Sequence, residues 1–376
     1  MKNYLLTPGP TPVPPESLSA MARPIIHHRT PEFQAILKEV EEGLKYVFQT
    51  KESVLIISSS GTGAMEGAVA SLLSPGDRAV VVRAGKFGER WGELCAAYGI
   101  EFTAIDVEWG KTVNPQKIKE ILEKDDKIKA VYVTLCETST GVTADIQAIA
   151  KITKDTQAVL VVDAISALGA VPLKTDEWGI DVVVSCSQKG LMIPPGLAFV
   201  SLSKKALGLV EKSTLPKYYF NFKAYKKSID KNDTPYTPAV NLVIGLNEAL
   251  KIIKKDGLEN VIARHKKHAQ AVRGAMEALG MELFAPDAFS DAVTSVKVPE
   301  GIDGAKLVKT MRDAHGVGIA GGQAQLKGKI FRIATMGYIS ASDLKICIQT
   351  LETVLAELGY KFENGVGVKA FQQASS

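Results

Sequence analysis

Apolar segments of strand length alternate with helical segments between residues 53 and 201. The strand segments are nearly continuous in Val, Ile and Leu, which is typical of strands that are covered on both faces. Such strands, separated by helices, indicate an α/β fold with a mainly parallel sheet sandwiched by helices. Seven strands are predicted, at 53–58, 78–83, 101–106, 129–135, 158–163, 182–185 and 198–201, and the helices between them lie at 64–73, 88–98, 114–124 and 145–153.

The segments on either side of this region have a different character. Residues 7–15 are too rich in proline for a helix or a central strand, so residues 1–20 are predicted to form an extended arm. We predict a large domain at 21–255 and a smaller C-terminal α+β domain at 256–376, with a polar tail after about residue 360. Outside the alternating region, helices are predicted at 32–47, 240–255, 258–279, 304–314 and 340–358, and strands at 282–285, 293–298 and 330–335.

The balance of charge argues against a nucleic-acid-binding or membrane protein. Lys and Arg number 45 against 41 Asp and Glu, and the basic residues are scattered along the chain. Scattered charges are better explained by solvated helix and loop faces than by a nucleic-acid surface. No apolar stretch is long enough to span a bilayer, and the N-terminus lacks the pattern of a secretion signal.

Cysteine and histidine spacing gives no metal site. The four cysteines form no CxxC pair and no zinc spacing, which predicts reduced thiols in a cytoplasmic protein. His265 and His268 are one helical turn apart, but two lysines separate them and no carboxylate adjoins them. We therefore interpret this pair as part of a solvated basic helix face, and we expect no metal.

A lysine and an aspartate follow two neighbouring apolar strands. Lys189 comes just after the strand at 182–185 and just before a Gly/Pro turn, and Asp163 ends the strand at 158–163. Burial disfavours an ammonium, so the pKa of Lys189 should fall and its amine should condense with an aldehyde to form a Schiff base. Pyridoxal phosphate (PLP) needs such a lysine for its aldehyde and a carboxylate for its pyridine nitrogen. The pair therefore predicts a PLP site with Lys189 and Asp163 as catalytic residues.

A loop of small residues joins the first predicted strand to the next helix. Ser60, Gly61 and Thr62 precede a helix whose N–H groups and dipole favour an anion. The loop lacks the Gly-Lys-Ser/Thr of a Walker loop, and the third glycine of a dinucleotide fingerprint is replaced by Glu66. A single phosphate monoester remains as the ligand, whereas the alternative is that Ser60 and Thr62 merely cap the helix.

Three further residues have both a functional and an ordinary interpretation. Phe87, between two glycines at a strand-to-helix corner, could lie against a pyridine ring or could be a core residue. Thr138, in a polar turn after the fourth strand, could bond to the ring oxygen or cap the next helix. Arg332 alternates with Phe331 and Ile333 and could bind a substrate α-carboxylate through its fork, or could face solvent.

Taken together, these motifs resemble the class V aminotransferases, which are fold-type I PLP enzymes, and within them the alanine–glyoxylate and serine–pyruvate aminotransferases. The resemblance covers nearly the whole chain. It is carried by residues 7–10, 28–33, 60–62, 138–141, 162–164, 187–189, 194–196 and 331–333. The chain has Thr62 where relatives often have His, Phe87 where Trp is common, and Thr234 where Tyr is an alternative.

The resemblance implies a role for each matching residue. Lys189 would bond to the cofactor and shuttle the proton, Asp163 would pair with the pyridinium, Phe87 would stack on the ring and Thr138 would approach the ring hydroxyl. Arg332, near the backbone of Gly9, would bind the substrate carboxylate. The phosphate would be held by Ser60, Gly61, Thr62 and Gln188, and by Thr237 from a second subunit, which implies a functional homodimer.

The predicted reaction is ping-pong transamination from alanine or serine to glyoxylate or pyruvate, with the substrates implied by the resemblance. Phosphoserine transamination stays open, because His28 and Arg29 could meet a substrate phosphate. Cysteine desulfurases carry a nucleophilic cysteine on the loop before the arginine, and the corresponding residues 316–328 contain none. A non-catalytic binding module is disfavoured by the intact Lys189, Asp163 and Arg332.

Overall fold

The computed structural model describes residues 3–375. The chain begins with strand β1 (Tyr4–Leu5), helix α1 (Pro15–Met21) and helix α2 (Pro31–Phe48). Both helices have a proline in the first turn, where the missing N–H would be unpaired in any case. The last residues of the predicted arm are therefore helical, because a proline run can lead into a helix as readily as it can stay extended.

Strands and helices alternate through the next region, as predicted. In chain order the elements are β2 (Val54–Ile57), α3 (Gly61–Leu72), β3 (Arg78–Arg83), α4 (Lys86–Ala97), β4 (Glu101–Asp106), α5 (Pro115–Leu122), β5 (Ile128–Thr134), β6 (Cys136–Glu137), β7 (Val142–Thr143), α6 (Ile146–Thr153), β8 (Val159–Asp163), α7 (Thr175–Trp178), β9 (Val182–Cys186) and β10 (Ala198–Leu202). Seven of the strands form one sheet in the order β2-β10-β9-β8-β5-β3-β4. Strand β10 runs antiparallel to both neighbours, and the remaining pairs are parallel. The predicted mainly parallel seven-stranded sheet is confirmed.

The sheet brings Asp163 and the segment that leads to Lys189 to the same edge. Asp163 is the last residue of β8, and it lies opposite Thr134 at the end of β5 in the parallel register. Lys189 follows the end of β9, the neighbour of β8 on the other side. The carboxyl ends of parallel strands meet at a common edge, where α/β proteins bind their ligands.

The rest of the chain is mainly helical, with a small antiparallel sheet in the order β11 (Val293–Lys297), β14 (Ile330–Ala334) and β13 (Ala320–Gly321). Strand β1 pairs in parallel with β12 (Val317–Gly318), so the N-terminal arm is joined to this region. The strand predicted at 282–285 is reduced to a single bridge between Leu283 and Val296. The elements are α8 (Lys204–Lys212), α9 (Phe222–Ile229), α10 (Val240–Asp256), α11 (Leu258–Ala278), β11 (Val293–Lys297), α12 (Gly304–Asp313), β12 (Val317–Gly318), β13 (Ala320–Gly321), a 3₁₀ turn (Ala324–Leu326), β14 (Ile330–Ala334), α13 (Ala341–Glu357) and α14 (Val366–Ser375).

Two expectations about this region are wrong. The predicted polar tail contains helix α14, whose Phe371 is buried in the apolar cluster around the small sheet. His265 and His268 are buried rather than solvated, and burial lowers the pKa of each imidazole to about 4. Because charged residues flank these histidines, the sequence does not indicate which face of α11 packs inward.

The buried apolar residues form two clusters, one around the seven-stranded sheet and one around the small sheet. The domain division after residue 255 stays a prediction. No helix within residues 3–375 combines the length and apolar character needed to cross a bilayer.

Candidate active site

Lys189 is half-buried beside the N-terminal arm. Its Nζ donates a hydrogen bond to the carbonyl of Pro8. Thr11 fixes the lysine backbone, since its amide donates to Gln188 O at 3.1 Å and its hydroxyl to Lys189 O at 2.9 Å. Desolvation lowers the pKa of the Lys189 amine, which increases the share of the nucleophilic neutral form.

Asp163 is almost fully buried, with 3% of its surface exposed. One carboxylate oxygen accepts from Ile165 N at 2.8 Å, and the other accepts from the Thr134 hydroxyl at 3.5 Å. Burial raises the pKa of Asp163 to about 7, and the nearby charge of Glu137 acts in the same direction while Lys189 opposes it. An aspartate in this state gains from a bound cationic ring nitrogen.

Lys189 and Asp163 line one cavity of about 130 Å³. This cavity brings together seven of the predicted site residues, which are Ser60, Gly61, Thr62, Phe87, Asp163, Gln188 and Lys189. It is also lined by four residues that sequence reasoning missed, Arg90, Cys136, Ile165 and Ser166. Among these, Arg90 had a visible signal, because it lies one helical turn after Phe87.

The Ser60 loop has the features of an anion site. Helix α3 begins at Gly61, so the loop forms the first turn of the helix, and Ser60 is its N-cap but makes no side-chain cap bond. Ser60 therefore occupies the N-cap position, but its hydroxyl does not form the cap bond that the alternative interpretation requires. The buried Oε1 of Gln188 has no hydrogen-bond partner within the described chain. A helix N-terminus, an uncommitted hydroxyl and an unpaired amide side chain fit a phosphate group.

Phe87 lies in the first turn of α4 and lines the cavity, so it is not an ordinary core residue. The guanidinium of Arg90 lies over its ring, 5.1 Å from the centroid. Arg90 also donates from Nη1 to the Thr62 hydroxyl at 3.2 Å. The arginine thus brings a positive charge to the same end of the cavity as the Ser60 loop.

Arg332 is buried on β14, with 5% of its surface exposed, and the solvent-facing interpretation is wrong. Its Nε and Nη2 donate to Gly321 O at 3.0 and 2.7 Å, and its Nη1 donates to Thr138 O at 2.6 Å. A guanidinium has five N–H donors, so a donor remains on each terminal nitrogen for a carboxylate. Burial lowers the pKa of Arg332 to about 10, which leaves it charged at neutral pH.

The remaining predicted residues lie outside the cavity lining. Thr138 is buried and contacts Arg332 through its carbonyl. Gly9 has a φ of +120° and lies against the Lys189 side chain, so close that a Cβ would overlap it. Thr237 is exposed on the surface of this chain and is not among the residues that line the cavity.

The sheet, with a desolvated lysine and a buried aspartate at its carboxyl edge, has the architecture of the fold-type I PLP enzymes. The chain belongs to the class V aminotransferases, because the family model described as Aminotransferase class-V matches residues 3–350. This family is generally PLP-dependent, and the chain is an aminotransferase, as the sequence predicted.

Two relatives illustrate the range of names carried by similar chains. The L-aspartate–glyoxylate aminotransferase of Paracoccus denitrificans is 38% identical and aligns over 99% of this chain and 96% of its own. A protein of a Synechococcus strain named soluble hydrogenase, small subunit, is 45% identical and aligns over 100% of this chain and 99% of its own. Among solved structures, the alanine–glyoxylate aminotransferase of a Nostoc species has a TM-score of 0.90 and 30% identity, and covers 94% of this chain and 96% of its own.

Proposed function

We propose that this protein binds PLP and transfers the amino group of a small amino acid, alanine or serine, to glyoxylate or pyruvate. The observation that carries the proposal is the shared cavity of Lys189 and Asp163, with the Ser60 loop at the same cavity. Glyoxylate as the acceptor is supported by the names of the Paracoccus and Nostoc enzymes. When bound, PLP supplies an aldehyde and an electron-withdrawing pyridinium ring, which together acidify the α-proton of an amino acid.

Each residue of the candidate site has its own role in the proposed reaction. The amine of Lys189 would bond to the cofactor aldehyde and, once freed, would move the proton of the substrate Cα. Asp163 would hold a proton on the ring nitrogen through its carboxylate. Phe87 would stack on the ring and Thr138 would approach the ring hydroxyl. Arg332, with the backbone of Gly9 nearby, orients the substrate by its carboxylate.

The phosphate of the cofactor would bind at the start of α3. Ser60, Gly61, Thr62 and Gln188 would hold it, and the position of Arg90 supports its joining them. Thr237 would complete this site from a second subunit, so we propose a homodimer as the functional unit. The exposed position of Thr237 supports this, since an exposed residue is available to a partner. Four free and buried cysteines support a cytoplasmic location.

Phosphoserine as the amino donor is less well supported. The guanidinium of Arg29 is ion-paired with Asp233 and also donates to Thr234 O at 2.7 Å. An arginine that is neutralised in this way is a weaker phosphate ligand. Cysteine desulfuration is disfavoured because burial raises the pKa of Cys136 and of Cys186, the thiols nearest Lys189, to about 12.

The name hydrogenase prompts a second candidate function, which the donor set does not support. Hydrogenases and their electron carriers hold redox metals through clusters of thiolates and similar ligands. Within residues 3–375, no three His, Cys, Asp or Glu side chains are grouped so as to hold a metal ion.

The test is a half-reaction screen on purified protein loaded with PLP. The protein should absorb visible light, and alanine or serine should bleach the band, with glyoxylate or pyruvate restoring it. Lys189→Ala should abolish the band, while Lys151→Ala, on the exposed face of α6, should leave it unchanged. A preference for phosphoserine or glutamate would overturn the substrate assignment, and a protein that takes up no PLP would overturn the whole proposal.

A further inference from the structure

Helix α4 is capped by a residue that lies about fifty positions further along the chain. Its N-cap, Gly85, has no side chain and makes no side-chain cap bond. Instead Glu137 accepts hydrogen bonds from the amides of Phe87, at 3.0 Å, and Gly88, at 2.9 Å. Ser139 accepts from the amide of Lys86 at 3.0 Å. These two residues therefore satisfy the first three N–H groups of the helix.

Glu137 is surrounded by hydrogen-bond donors. Besides the two helix amides, it accepts from the amide and the hydroxyl of Ser139, at 3.1 and 2.5 Å. Burial raises the pKa of Glu137, whereas its hydrogen bonds with Ser139, Gly88 and Phe87 lower it. The side chain is 1% exposed, and its carboxyl group faces the positive end of the helix dipole.

The fit between Gly85 and Glu137 is close. A Cβ at Gly85 would lie 2.5 Å from the Cγ and Cδ of Glu137 and from the Ser139 hydroxyl. No larger residue can occupy position 85 while the carboxylate keeps this place. The capping carboxylate and the missing side chain are thus two parts of one arrangement.

The segment that contains Glu137 and Thr138 forms hydrogen bonds with two parts of the candidate active site, the helix of Phe87 and the side chain of Arg332. The helix that Glu137 caps carries Phe87 in its first turn and Arg90 one turn later. Thr138, the residue after Glu137, accepts from Arg332 through its carbonyl. Glu137 is therefore connected to Phe87 through its cap and to Arg332 through Thr138, although it is not among the residues that line the cavity.

We propose that Glu137 is a positioning residue of the transamination site, which acts by holding Phe87 at the orientation needed to stack on the cofactor ring. This inference rests on the proposed PLP function. Under this proposal, the effect of Glu137 on cofactor binding depends on Phe87. A residue that only stabilised the fold would affect cofactor binding equally whether or not Phe87 were present.

A double-mutant cycle on the dissociation constant for PLP tests this. Apoprotein is titrated with PLP, and the visible band and its induced circular dichroism are recorded. Glu137→Gln turns one acceptor of this cap into a donor, so we expect the dissociation constant to rise about tenfold or more. We expect Phe87→Leu to raise it also. The double variant should match Phe87→Leu alone within about a factor of two, because the positioned group is gone.

The controls separate this inference from the proposed function. Glu93→Gln, on the exposed side of the same helix, should leave the PLP titration unchanged. If Glu137→Gln does not fold, Ser139→Ala takes its place, with a smaller rise that also vanishes in the Phe87→Leu background. Fully additive effects, or a Glu137→Gln protein with the parent's dissociation constant and dichroism, would overturn the inference. A parent protein that binds no PLP would overturn the proposed function and with it this inference.

Discussion

At the scale of single residues, burial acts in opposite directions on the two central ionisable groups. It lowers the pKa of the Lys189 amine and raises the pKa of the Asp163 carboxyl to about 7. Both shifts move the groups towards their neutral forms, which is the expected response to a medium that solvates charge poorly. A cofactor with a cationic ring nitrogen would reverse the effect on Asp163, because it would give the carboxylate a partner.

The raised pKa of Asp163 predicts a specific pH dependence for the apoprotein. Its ordinary pKa is 3.8, so between about pH 4 and pH 7 the folded state binds more protons than the unfolded state. The free energy of unfolding contributed by Asp163 therefore falls as pH rises through this window. The Asp163→Asn variant has no carboxyl at this position, so its free energy of unfolding does not fall in this way. Near pH 8 its apoprotein should therefore be more stable than the parent by a few kcal/mol, since each pKa unit corresponds to about 1.4 kcal/mol.

Urea unfolding of the apoproteins at about pH 5 and about pH 8 measures this difference. The advantage of Asp163→Asn should shrink at the lower pH. Asp155→Asn, an exposed site, should show no pH-dependent difference from the parent. An Asp163→Asn apoprotein that is less stable than the parent at the higher pH would contradict the assigned burial effect.

At the scale of elements, remote buried glutamates cap helices at two places in this chain. Glu137 caps α4, and Glu352 of α13 accepts from the amides of Gly365, Gly367 and Val368 at the start of α14, at 3.1, 2.8 and 3.1 Å. In each case a carboxylate from a separate element replaces a local N-cap side chain. Helix α14 thus belongs to the packed structure and is held at its start by α13.

The packing of α14 can be tested through its buried aromatic residue. Phe371→Ala should lower the free energy of unfolding by about 3 kcal/mol or more, because it removes a large side chain from a closed apolar cluster. The dissociation constant for PLP should not change, since α14 contributes no residue to the cavity lining. Gln373→Ala, exposed on the same helix, is the control for thermal unfolding. Equal melting temperatures for the two variants would show that this helix does not pack as described.

At the scale of the whole molecule, the N-terminal arm joins distant parts of the chain. Strand β1 pairs with β12, the amide of Ala334 donates to Leu6 O at 2.9 Å, and Thr11 donates to the backbone at Lys189. One segment of the arm therefore connects the strand that carries Arg332 to the loop that carries Lys189. The relative positions of these two side chains depend on that connection.

The proposed homodimer predicts complementation between two defective chains. Lys189→Ala removes the lysine of a chain's own site, and Thr237→Arg should block the phosphate site of its partner. Each variant alone should fail to form the visible band with PLP. Coexpressed, they should form hybrid dimers with one intact site, which binds about one PLP per dimer.

The reverse combination is the control for this experiment. Unchanged chains paired with chains that carry both Lys189→Ala and Thr237→Arg should have no intact site in the hybrid dimer. Differently tagged chains allow each hybrid to be purified and its PLP content to be measured. If the second hybrid binds PLP and the first does not, Thr237 serves its own chain, and the proposed sharing of the site is wrong.

Sequence patterns were sufficient where the signal is local. The strands and most helices follow from the spacing of apolar residues, which depends only on neighbours within a few positions. The pair Lys189 and Asp163 was also accessible, because parallel strands bring their carboxyl ends together in any sheet of this kind. The Ser60 loop was found for the same reason, although the start of α3 lay three residues earlier than predicted.

The burial of polar residues was decided by the tertiary structure. The charged neighbours of His265 and His268 indicate a solvated face, the pattern around Arg332 allows two interpretations, and the composition of the last residues is typical of a polar tail. Each of these assignments depends on what packs against the residue, and that partner lies far away in the sequence. The caps formed by Glu137 and Glu352 are further examples. A cap supplied by another element gives no signal in the sequence of the helix that it caps.

By itself, then, the order of residues determined the α/β sheet and the lysine–aspartate pair at its edge, because strand periodicity and strand ends are local properties. Only the tertiary structure decided that Arg90 joins the Ser60 loop, that Glu137 holds the helix of Phe87, and that Arg332 is buried with two donors to spare. These features depend on contacts between segments that the fold brings together, and on the loss of water that makes each charge there costly or useful.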